Sequence, residues 1–194
     1  MAEKQFYSLD RDLKVVEAMA SRLKPYVYEA ELYGLMPGDY PRLTLGGLLM
    51  RLARLPHLPL SPAQQAVLAT AHSQLDEIQK EWAVAYEGKI QREVKARILS
   101  LNQYLDECPG DPHGCADHYP SAIEKRVMLE ALSAEAERLN ILSQEMKGGI
   151  SAVDNKIHRF FDRSDTFVWD AQLIPAYPPD PFWYLYQKSN RRER

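Results

Sequence analysis

SPAQQAVLATAHSQLDEIQKEWAVAYEGKIQREVKARILSLNQYLDE, residues 61–107, decides the fold. Its apolar positions Leu68, Ala71, Leu75, Ile78, Trp82, Tyr86, Ile90, Val94, Ile98, Leu101 and Leu105 follow one another in steps of three or four, the spacing of one helical face. Ser61 and Pro62 supply an N-cap and a first-turn proline, and no further proline interrupts until Pro109. At ~1.5 Å per residue the predicted rod is on the order of 60 Å long. Its mean step is nearer 3.6 than 3.5, which suits a straight helix in a bundle better than a supercoil. Asp76, Glu77, Lys80, Glu81, Lys89, Arg92, Glu93, Lys95 and Arg97 fall between the apolar positions and read as a solvated face.

Downstream, ECPGDPHGCADHYP, residues 107–120, concentrates turn formers and reads as a hairpin tip. Ser121 is the expected cap of a second long helix bearing Ile123, Val127, Leu132, Leu139, Leu142 and Met146, with a kink at Gly148-Gly149 and an end near Phe161. Upstream, Leu9, Leu13, Val16, Met19 or Ala20, and Leu23 form the face of a first helix, broken at Pro25 and followed by a short helix toward Gly34. Leu43–Leu55 is apolar around most of its circumference and reads as a short buried helix. The rival, a membrane-surface helix with Arg42, Arg51 and Arg54 at the headgroups, lacks a wide polar face.

The fold class that follows is all-α: a bundle on a long antiparallel helical hairpin (62–161) within one helical domain (1–161), and a C-terminal tail (162–194) packed on it. Leu68, Leu75, Ile78, Trp82, Ile90, Val94, Leu132, Leu139 and Leu142 are the expected core. The N-terminal helices look too short to cover the hairpin, so a homodimer is expected to bury the remainder.

Composition narrows the function classes. The 194 residues include 45% hydrophobic and 26% charged side chains with a net charge of -3, enough for a sizeable core but with no general pull toward nucleic acid. Neither an apolar leader nor a membrane-spanning run is visible, and two cysteines are few, so a cytoplasmic protein is expected. Arg191, Arg192 and Arg194 read as a solvated end rather than a phosphate contact.

Cys108, His113, Cys115 and His118 are the candidate metal ligands, since thiolate and imidazole suit zinc. Two other readings are a Cys108–Cys115 disulfide, contributing about 2.5 kcal/mol through loop entropy, and unlinked thiols beside solvent-facing histidines. Helical Glu-x-x-His pairs, nucleophile elbows, phosphate loops and dinucleotide fingerprints are absent from the sequence, and His72–Asp76 is an ordinary one-turn neighbour pair. Trp169, Tyr177, Phe182 and Trp183 are candidate partner-binding aromatics, with covering of the bundle as their simpler role. No catalytic set converges, so the expected function leans away from an enzyme, toward a helical interaction or scaffold protein without a cofactor. The alternative is a zinc-binding or thiol-redox protein acting through the tip.

Overall fold

The computed structural model describes residues 7–189 and shows an all-α bundle with one two-stranded antiparallel sheet. The helices are α1 (Leu9–Ser21), α2 (Leu23–Tyr28), α3 (Leu45–Arg54), α4 (Pro62–Glu81), α5 (Ala83–Glu107), α6 (Pro112–Ala122), α7 (Glu124–Arg138) and α8 (Gln144–Phe160). The strands β1 (Phe161–Arg163) and β2 (Gln187–Ser189) pair with Arg163 opposite Gln187. Side-chain caps start the helices: Ser8 on α1, Thr44 on α3, Asp111 on α6, Ser143 on α8, and a Ser61–Gln64 capping box on α4.

The expected rod is bent at Trp82, whose backbone (φ -131, ψ 38) leaves helical geometry while its N–H still donates to Ile78 O. The bend divides the labour. α4 packs on α1, whereas α5 packs on α3, α7 and α8, and α2 touches both. The Trp82 ring is only half-buried and lies 4.2 Å from Tyr28. Leu68, Leu75, Ile78, Ile90, Val94 and Leu132 are buried as expected, while Leu139 and Leu142 are partly buried against the core.

The second arm is three helices rather than one. The tip residues form α6, capped by Asp111 and begun by Pro112, and Ser121 caps nothing: its hydroxyl donates to His118 O. The later break falls at Asn140, with φ 58, where Asn140 N–H donates to Glu137 O and Ile141 N–H to Ala136 O. That pair of bonds closes a helix end around a left-handed residue. Gly148-Gly149 runs straight through α8. A Cβ at Gly149 would lie 2.9 Å from Ile98 Cδ1, so the glycine serves the close α5–α8 approach.

At the N-terminus the break comes at Arg22 instead of Pro25, because Pro25 occupies the first turn of α2, where its missing donor is not needed. The second short helix ends at Tyr28 rather than near Gly34, and Gly34 instead forms a bridge with Leu43.

α3 is enclosed by α1, α5, α7 and the segment 171–176, so Arg51 and Arg54 meet a carboxylate rather than a membrane surface. Asp12 accepts from Arg51 Nε at 3.0 Å and from Arg54 Nε and Nη2 at 2.7 and 2.6 Å. Lys89, Glu93 and Arg97, expected on a solvated face, are also buried, because α5 has neighbours on more than one side. Glu93 accepts from Gly46 N–H at 3.0 Å and from Arg97, which also donates to Thr44; Lys89 donates to Glu29 O and Glu31 O. Most of the apolar stripe expected to need a second subunit is covered within this chain, with Trp82 and Ile98 only partly buried. No described helix is long and apolar enough to cross a membrane.

Candidate functional site

Residues 161–189 form a cap over the α6–α7–α8 corner. Tyr184, Leu185 and Tyr186 are buried, and their anchorage is specific. Tyr119 OH donates to Tyr184 O at 2.7 Å, Trp169 Nε1 donates to Pro120 O at 2.7 Å, and the Arg126 guanidinium lies 4.6 Å from the Tyr184 ring centre. Arg126 itself is fixed by Asp154 of α8 at 2.7 Å and Glu130 at 2.8 Å. Burial pushes the Tyr119 and Tyr184 hydroxyls well above the ordinary tyrosine value, so both remain neutral across the physiological range.

The four partner-binding candidates are brought together but not onto one surface. Trp169 meets Tyr177 edge-on at 5.4 Å, and Tyr177 meets Phe182 edge-on at 5.0 Å, a chain that covers the bundle. Tyr177 is buried, and Trp169 and Phe182 are half-buried. Trp183 turns the other way and stacks on His158, with ring centres 3.9 Å apart and an 8° interplanar angle. This stack lines an open groove of about 420 Å³ together with Arg163, Pro179, Asp180 and Gln187. The chain doubles back here through the cis Asp180–Pro181 peptide, and β1 and β2 end at the groove. Gln187 is buried; its Nε2 donates to Trp183 O and so holds the Trp183 backbone in place. His158, Arg163 and Asp180 are exposed, leaving a rim with both charge signs around an aromatic wall.

At the tip, Cys108 and Cys115 are joined as a disulfide and buried, while His113 and His118 are exposed on α6. With both sulfurs bonded to each other, the four side chains are not a thiolate–imidazole ligand set. Among the described residues no group of three or more His, Cys, Asp or Glu is placed to hold a metal ion. His72 and Asp76 are exposed on α4, with His72 beside an open apolar groove lined by Pro56, Leu58, Leu60, Leu68 and Ala69. Arg191, Arg192 and Arg194 lie outside the described residues.

Sequence reasoning missed His158, Arg163, Asp180 and Gln187. They come from α8, β1, the loop at Asp180 and β2, and share no spacing; only the aromatic-proline density of 167–186 marked the neighbourhood. No family model, no curated protein and no solved structure matches this chain.

Proposed function

We propose that the protein is a non-enzymatic interaction module whose binding face is the cap groove, and that the occupant is an extended segment of a partner protein. The stacked Trp183–His158 pair carries the reading. A large ring held rigid at the edge of an open groove offers contact area at little entropic cost, the property that makes tryptophan a recurrent binding anchor. Arg163 and Asp180 on the rim suit a segment with an acidic and a basic residue flanking an apolar one. The two-stranded sheet that ends at the groove favours an extended segment over a helical one. A partner protein is preferred to a second copy of the chain, because most of the stripe that called for a homodimer is already covered.

The test is selection of peptides from a random display library on the folded protein, followed by affinity measurement against Trp183→Ala. Loss of at least about ten-fold in affinity, with unchanged far-ultraviolet circular dichroism, is expected for the removal of an aromatic anchor. Peptides that bind the variant as tightly as the wild type would place recognition elsewhere.

A second reading, a thiol-redox protein acting through Cys108 and Cys115, is supported by the disulfide itself. It ranks behind the first because both sulfurs are buried, whereas exchange catalysts present an accessible sulfur. Zinc at Cys108, His113, Cys115 and His118 requires that bond to open first. A closed disulfide also sits more naturally in an oxidising compartment than in the cytoplasm expected from the sequence.

A further inference from the structure

α6 is a poor helix by composition. Its 11 residues include Pro112, Gly114 and Pro120, and Pro120 lies inside the helix, where it supplies no N–H to the carbonyl one turn back. So short a segment is marginal by itself. What fixes its first turn to α5 is the Cys108–Cys115 disulfide, which bridges the residue after α5 to the fourth residue of α6, supported by Tyr104 OH donating to Cys115 O.

α6 in turn carries two of the cap's specific anchors: Tyr119, bonded to Tyr184 O, and the Pro120 carbonyl, bonded to Trp169 Nε1. A second set of anchors lies elsewhere. Segment 171–176 packs on α3 and on residues 55–57, and Asp170 accepts from Tyr7 N–H. The cap therefore has one edge that α6 helps to hold, together with Arg126, His158 and the pairing of β1 with β2, and one that α6 does not touch.

We infer that the Cys108–Cys115 pair is a redox clasp: its reduction releases the α6-facing edge of the cap, residues 164–169 and 183–187, and leaves the rest of the bundle folded. The reductant is a dithiol. Local opening of the marginal α6 uncovers the buried sulfurs; one thiolate of the reductant then attacks one of them, the other cysteine leaves as a thiolate and takes a proton, and the second reductant thiol displaces the protein from the mixed disulfide. Two electrons and two protons pass from the dithiol to the protein, one disulfide being broken and one formed. Because Trp183 and Gln187 belong to the released edge, reduction also disorders the groove, a consequence that rests on the function proposed above; the release itself does not.

Amide hydrogen exchange of the full chain, oxidised and after complete reduction with dithiothreitol, tests the clasp. Exchange is expected to rise by at least about ten-fold in 112–122, 164–169 and 183–187, with 86–101 and 171–176 unchanged, as a local opening requires. No change in 164–169 on full reduction overturns the clasp. So does a uniform rise that includes 86–101, which would make the disulfide a general stabiliser.

Tyr119→Phe in the oxidised protein supplies an independent check, since it cuts the relay without touching sulfur. Faster exchange in 183–187 with 112–115 unchanged is the expected result, and unchanged 183–187 overturns the relay. Peptide binding to Trp183, measured in both redox states, separates failure of the groove reading from failure of the clasp.

Discussion

α3 and the C-terminal cap are both held against the α5–α7–α8 layer, but by different means. α3 is locked by ions: Asp12 between Arg51 and Arg54, and Glu93 between Arg97 and the N–H of Gly46. The cap is locked mainly by rings and single neutral hydrogen bonds, with charge in Arg126, paired to Asp154 and Glu130 beneath Tyr184, and in Asp170, which accepts from Tyr7 N–H. Buried ions cost much to desolvate, and each one requires its partner in one place, so they specify position more than they add stability. Aromatic contacts divide their energy among many atoms and tolerate the loss of one. The expected consequence is a rigid centre that fails abruptly and a cap that loosens by degrees.

Asp12→Ala should produce the largest effect. It strips the shared carboxylate from two buried guanidiniums, Arg51 being held below its ordinary pKa by burial and then by Arg54. Breaking a buried ionic group from one side costs roughly 3–5 kcal/mol. Urea unfolding should report a loss of that size, and a loss under about 1 kcal/mol would remove the contrast between the two regions. Gly46→Ala comes next. An added Cβ would stand 2.7 Å from Glu93 Oε1 and 2.9 Å from Leu132 Cδ1, so either the ion lock or the α3–α7 packing must shift. Overpacking of this kind costs about 1–3 kcal/mol, and an unchanged midpoint would show that α3 is not held as tightly as its geometry implies.

The two regions also differed in how far they could be read in advance. The stripe from Leu68 to Leu105 was legible because each of its positions faces a neighbouring element, and periodicity records that directly. Lys89, Glu93 and Arg97 were not, since a charged residue at helical spacing looks the same whether it faces water or a buried partner. Asp12 and Arg51 stand 39 residues apart, and nothing local in either segment announces the other. α6 was hidden by its own composition: Pro, Gly and Asp signal a turn, and the disulfide and tertiary contacts that hold those residues helical lie beyond any local window. In the groove only Trp183 could be named from sequence, because His158, Arg163, Asp180 and Gln187 meet through the path of the tail.

Trp169→Phe should give the smallest of the stability effects and define the character of the cap. The ring of Trp169 is half-buried, and its edge-on contacts with Phe167 at 6.3 Å and Tyr177 at 5.4 Å can be kept in large part by phenylalanine. What disappears is one neutral hydrogen bond from Nε1 to Pro120 O. Since Pro120 is exposed, water can take the vacated place on its carbonyl, and the expected cost is about 1 kcal/mol. A loss above about 3 kcal/mol, approaching that of Asp12→Ala, would mean that the cap is as sharply specified as the centre. The gradual loosening that the redox clasp requires would then give way to cooperative unfolding of cap and bundle together.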